Sequence, residues 1–262
     1  MSGVRPPAVA GLFYPRDPGE LRAEVEALMA AADPPPGPAP SALVAPHAGY
    51  VYSGPVAATA FRTLAGRRDE IRRVVLLGPS HYLAFEGLAL SPHRAFRTPL
   101  GDVELDPAAA AAIRDLPQVA LLEAPHAREH SLEVELPFLQ VVLAGFTLVP
   151  LSVGEATAAE VAEVLARLDE DEATLVVVST DLSHYLDYDS ACARDRATAH
   201  AILELAPERI GAHDACGRVP LNGLLERART RGLAVRELDR RNSGDTAGPR
   251  DRVVGYGAYA FA

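Results

Sequence analysis

Three short, wholly apolar runs, each closing on a polar turn that contains a histidine, constrain this chain more than any other feature. They are Leu43-Val44-Ala45-Pro46-His47, Val74-Val75-Leu76-Leu77-Gly78-Pro79-Ser80-His81 and Leu175-Val176-Val177-Val178-Ser179-Thr180-Asp181-Leu182-Ser183-His184. Runs of this length without polar alternation fit strands buried on both faces, as in a parallel or mixed sheet covered by helices. In open α/β sheets, ligands bind beyond the carboxyl ends of the strands. Histidines arriving there from three strands can meet in space although distant in sequence, so His47, His81 and His184 are expected to share one pocket.

Between the runs, residues 54–65, 106–115, 131–144, 157–168, 189–205 and 219–231 carry apolar positions at helical spacing. An earlier helix is expected from Asp17, as N-cap, through Leu21, Val25 and Leu28 to about Ala31. Leu148–Val153 reads as another strand and Arg252–Phe261 as an alternating one. The alternation predicts a three-layer α/β/α sandwich with a mixed, largely parallel central sheet. The proline-rich stretch 33–40 follows a segment too short to stand alone, so residues 1–262 read as one domain. The unequal intervals between the histidine runs exclude a solenoid.

Composition removes several function classes. All 25 basic residues are arginine, so no lysine Schiff base or P-loop is available. The net charge of −10 includes no dense basic run, which argues against nucleic acid or a membrane surface as partner. Charged residues interrupt every hydrophobic run, and Cys192 and Cys216 cannot build a disulfide framework; a cytoplasmic protein is expected. A serine-hydrolase elbow and a dinucleotide fingerprint are both missing.

Among candidate site residues, His184 has Asp181 three positions before it, a carboxylate expected to orient the ring for proton transfer. His130 reads as a neutral pocket residue at a helix N-terminus, with its pKa lowered by the dipole, and not as a metal ligand. Glu129 and Glu133 beside it read as easily as surface carboxylates as functional ones. Cys216, before a helix and near Arg218, suits a metal ligand or nucleophile with a lowered pKa, whereas Cys192 reads as an inert helix residue. Tyr50 and Tyr52 read either as pocket phenols or as core-edge aromatics, and His93, His126, His200 and His213 as surface residues.

Taken together, the segments 45–54, Gly78-Pro79-Ser80-His81, 129–137, 179–185 and Asn242-Ser243-Gly244-Asp245 resemble the Memo family, also called AmmeMemoRadiSam system protein B. The resemblance extends from the Gly11–Pro15 entry to the Val254-Gly255-Tyr256 end. It implies a fold akin to class III extradiol dioxygenases, non-haem iron enzymes with two histidines and a carboxylate on the metal. It also implies a cysteine in place of that carboxylate, so that His47, His81 and Cys216 are the ligands and Asp181 and His184 the neighbouring polar pair.

The metal expected from the resemblance is iron or copper, with zinc as a further candidate, because a thiolate is a softer ligand than a carboxylate. The implied function is redox or dioxygenase-type chemistry on an unidentified substrate, with whether the chain is an enzyme left open. The alternative is a non-catalytic module using the same cleft for a peptide or small anion. A functional link to a radical SAM protein and an AMMECR1-like protein is likewise implied by the resemblance alone.

Overall fold

The structure, a computed structural model, describes residues 3–262. Its centre is a nine-stranded mixed sheet. Four adjacent parallel strands form the middle, in the order Ala42–Ala45, Thr174–Ser179, Arg73–Pro79, Thr147–Val153. Val253–Phe261 pairs antiparallel outside Ala42–Ala45, and Leu88–Leu90 antiparallel outside Thr147–Val153. A separate three-stranded sheet joins Val4–Arg5, Ala95–Thr98 and Gly101–Glu104.

The apolar runs are doubly buried because successive side chains point to opposite faces. Leu43, Leu76 and Val177 pack with Leu21, Phe61 and Phe138 on one side. Val44, Leu77 and Val178 pack with Leu165, Ile202 and Leu225 on the other. The helices Pro18–Ala31, Tyr50–Arg62 and Leu136–Val142 thus cover one face. Pro107–Ile113, Ala158–Leu168, Tyr188–Leu203 and Arg218–Arg231 cover the other. This is the three-layer α/β/α arrangement the sequence predicts. Among the described residues, no helix is long and apolar enough to cross a membrane.

Local departures have identifiable causes. Asp17 caps the first helix as expected, accepting from Gly19 and Glu20 N–H groups. The helix expected from residue 54 begins at Tyr50, one turn earlier, because Tyr50 is buried and Ser53 Oγ donates back to the Ala48 carbonyl; Pro55 therefore lies inside it. The helix expected over 131–144 divides into a 3-10 turn at Glu133–Glu135 and a helix at Leu136–Val142. Strand Val235–Asn242 was invisible to hydrophobic periodicity because it is rich in charge, yet it pairs along Val253–Phe261.

The chain before the first helix is clamped to this body by a buried carboxylate. Glu133 accepts from Arg5 at 2.7 Å, Tyr14 Oη at 2.6 Å, and the Ala8 and Val9 N–H groups at 2.7 and 3.0 Å. Arg5 is itself buried and also donates to the His126 and Glu129 carbonyls. Removing one partner of a buried ion pair strands the other's charge, so Glu133→Ala is expected to lower stability by about 3–5 kcal/mol. Urea unfolding of the variant checks this, and a loss below about 1 kcal/mol, the scale of a surface pair, would contradict the clamp.

Candidate metal centre

The carboxyl ends of three adjacent strands deliver the site. Ala45 and Ser179 are register partners, as are Leu77 and Val178 on the next strand, so the turns bearing His47, Asp181 and His81 emerge side by side. The loop carrying Cys216 docks onto the same edge. Its N–H donates to the Asp181 carbonyl at 3.2 Å, while the Asp181 N–H donates to Cys216 Sγ at 3.3 Å. The next residue must be glycine for this approach. A Cβ at Gly217 would lie 2.7 Å from Thr180 Cβ and 2.8 Å from the Ser179 carbonyl oxygen, closer than real contacts allow.

One nitrogen each from His47 and His81 and the sulfur of Cys216 lie within 4.8 Å of one another. His47 Nε2 is 3.4 Å from Cys216 Sγ. His47 is buried, and its ring stands edge-on to those of His81 and His130 at centroid distances of 5.3 and 5.5 Å. These residues, with Asp181 and His184, line a cleft of about 930 Å³. Tyr52, Tyr82, Tyr185 and Arg252 also line it, Arg252 lying 4.4 Å over the Tyr185 ring.

The His47 and His81 imidazoles are each held from behind. His81 Nδ1 lies 2.8 Å from Glu129 Oε1, and the His81 backbone N–H donates to Glu129 Oε2 at 2.6 Å. The His130 and Ser131 N–H groups also donate to Glu129, both at 2.9 Å. Burial opposes the Glu129 charge, but these donors and the His81 ring outweigh it and hold the carboxyl at about 2. Burial likewise opposes charging His81, and the Glu129 hydrogen bond and charge reverse that, raising its pKa. His47 Nδ1 meets Ser179 Oγ at 2.7 Å; burial, then the His81 and His130 rings, push its pKa well down.

The other expected site residues are present with altered roles. Asp181 does not bond His184; its Oδ1 accepts from the His47 N–H at 2.9 Å, fixing the turn that aims His47. Burial raises Asp181 to about 6, while the His184 charge acts to lower it. His184 Nδ1 lies 2.9 Å from the Leu182 carbonyl, which can only accept, so Nδ1 carries the proton. His130 stacks on His81 at 4.7 Å, and its pKa is lowered as expected, though burial and not a helix dipole is the leading cause. The Cys216 thiol is not lowered: burial and the Asp181 charge push it to about 12.

One further expectation fails, and the open readings of Glu129, Glu133 and Tyr50 resolve, all through burial. His126 is not a surface residue; it is enclosed, with Nε2 2.9 Å from the Ala89 carbonyl. Glu129 and Glu133 are not surface carboxylates, and Tyr50 is a core residue whose hydroxyl donates to the Val134 carbonyl. The sequence reading also missed Ser179, Ser131 and Glu135, which stand behind His47. Their only signal is their position on the motifs that carry the histidines.

A family model described as Memo-like protein matches residues 5–260. The chain belongs to the Memo family. A MEMO1 family protein of Methanopyrus kandleri is 38% identical, with 98% of each chain covered. Others from Aeropyrum pernix, at 37% over 97% of this chain and 98% of that one, and Aquifex aeolicus, at 35% over 97% of each, match as fully. An uncharacterized protein of Escherichia coli K12, 15% identical, resembles the Memo-family fold with a TM-score of 0.52 over 83% of this chain and 98% of that one.

The donor set of this Memo-family site fits a metal ion: two imidazoles and a sulfur converge where burial and a nearby carboxylate disfavour a free thiolate, which a cation would stabilise. The Glu129–His81 pair gives a testable titration. Because the folded His81 pKa is raised above 6.5, its charged form adds stability below that pH, lost as pH rises through the folded value. Glu129, lowered from 4.5 to about 2, adds stability above 4.5, lost as pH falls toward 2. In Glu129→Gln, burial is opposed only by the Asp181 charge, so the His81 NMR titration midpoint in metal-free protein should fall below that of the wild type; an unchanged midpoint would contradict the pairing.

Proposed function

We propose that this Memo-family chain holds one mononuclear non-haem metal ion, iron or copper, on His47, His81 and Cys216. It uses the ion for redox or dioxygenase-type chemistry on a small molecule bound in the cleft. The observation that carries the reading is the convergence of the two histidine nitrogens and the cysteine sulfur within 4.8 Å on the wall of that cleft.

The bound ion would supply Lewis acidity and one-electron redox capacity. The chain's own residues account for the rest. Glu129 orients His81 and strengthens it as a donor, as carboxylates behind metal-bound histidines do. Asp181 aims His47 by holding its N–H. His184, with Nδ1 committed to the Leu182 carbonyl, holds or accepts a proton at Nε2. His130, kept neutral by burial beside His81, is a second group able to exchange a proton with the substrate. Tyr52, Tyr82 and Tyr185 offer apolar faces with polar ends around the opening.

A thiolate in place of the dioxygenase carboxylate favours softer metal states, so catechol ring opening is not expected. The test is anaerobic purification with elemental analysis, then reductant-dependent oxygen consumption. The wild type should carry a single iron or copper ion per chain and consume oxygen. His47→Ala and Cys216→Ser should weaken metal binding by more than about 100-fold, beyond the roughly 10–100-fold typical of losing an outer hydrogen-bond partner. A metal-free wild type that binds neither ion, or variants that retain it, would overturn the proposal. Yellow ring-cleavage product from catechol with added Fe(II) would overturn the distinction from the dioxygenases.

A further inference from the structure

The buried carboxyl of Glu135 stands behind His47, yet the proposed metal chemistry does not use it. Its Oε1 lies 2.7 Å from Ser179 Oγ. The same Oγ lies 2.7 Å from the Ser131 carbonyl and 2.7 Å from His47 Nδ1. A hydroxyl has one proton to donate and two lone pairs to accept with. The Ser131 carbonyl can only accept, so it requires the Ser179 proton; otherwise two oxygens face each other at 2.7 Å with no hydrogen between them. The remaining two neighbours must then bring protons of their own.

We infer that Glu135 is a neutral carboxylic acid at physiological pH that donates to Ser179 and so positions His47 as a ligand through a bare Nε2. Ser179 accepts from Glu135 and from His47 Nδ1–H, and gives its own proton to Ser131. With the Nδ1 proton committed, Nε2 presents its lone pair on the side of Cys216 Sγ, 3.4 Å away.

A second, independent observation agrees. Glu135 is fully buried, and among the described residues its Oε2 has no hydrogen-bond partner. An unpartnered oxygen is far costlier on an ionised carboxylate than on the carbonyl side of a neutral acid. Burial drives its pKa well up against the Ser179 bond, the charge of Asp181 adds to the rise, and the Tyr50 phenol is also nearby. The contrast with Glu129 is chemical. Glu129 accepts from four donors and stays ionised, giving His81 an anionic support, whereas Glu135 gives His47 a neutral one. Divergent carboxyls of this kind assign different duties to two similar side chains. Glu135 is a positioning residue, since it acts only through Ser179.

The protonation and tautomer parts stand without a metal; the affinity part rests on the proposed ligand role of His47. Infrared spectra of the wild type should show a protonated-acid carbonyl band at neutral pH, absent in Glu135→Gln and moved in Ser179→Ala. Nitrogen-15 NMR of metal-free wild type should find His47 as the Nδ1–H tautomer. In Zn²⁺ titrations, Glu135→Gln keeps a donor toward Ser179 and should lose less than about tenfold in affinity, whereas Glu135→Leu should lose about 10–100-fold.

If the glutamine variant fails to fold, the wild-type band and its movement in Ser179→Ala carry the test. The absence of any protonated-acid band, a His47 Nε2–H tautomer, or equal losses in the glutamine and leucine variants would overturn the inference. A wild type that binds no metal but shows the band and the tautomer would overturn the metal function and support the role of Glu135.

Discussion

Three glutamates within seven residues, Glu129, Glu133 and Glu135, are all buried, and much of the site depends on how each is satisfied. Removing a carboxylate from water costs on the order of several kcal/mol even after relaxation. The fold meets that cost differently each time. Glu129 gathers backbone and imidazole donors, Glu133 takes Arg5 and the N-terminal segment, and Glu135 lies against a serine hydroxyl. Arg5 links the first two, because it reaches both the Glu133 carboxylate and the Glu129 carbonyl. The N-terminal strand, the loop at 129–135 and two site histidines are therefore one connected polar structure set into an apolar body.

The parallel sheet makes that structure useful. Its central strands end level with one another, and the turns beyond them face a common cleft. Backbone groups of these turns are engaged as tightly as the side chains: the His47 N–H with Asp181, the His81 N–H with Glu129, and the Asp181 N–H with Cys216 Sγ. Such bonds fix where a ring or sulfur points more firmly than side-chain packing alone, which suits the proposed role of presenting three donor atoms together.

The membership of the site was readable because it follows a repeated local rule. A doubly apolar strand followed by a polar turn placed His47, His81 and His184 at one sheet edge, and the family pattern added Cys216. Helix positions were readable to within a turn from apolar spacing and caps such as Asp17. Strand Val235–Asn242 was not, since its charged side chains at a sheet edge leave no periodic signal. The Asp181–His184 pairing failed for a related reason: three residues of sequence separation do not specify which way a turn points a carboxylate, and this one turns back to the His47 backbone.

The sequence by itself therefore determined the layered fold and the sheet edge where the strand-end histidines meet, while Cys216 came from the family pattern. These depend on short-range apolar patterns and on residue types fixed in the covalent chain. Only the tertiary structure decided the partners behind the donors and the protonation each partner favours. The distinction between ionised Glu129 and the surroundings of Glu135, and the raised rather than lowered Cys216 thiol, depend on burial and on donors supplied by distant segments. Solvent exclusion and hydrogen-bond direction arise when layers pack together, and no window of sequence encodes them.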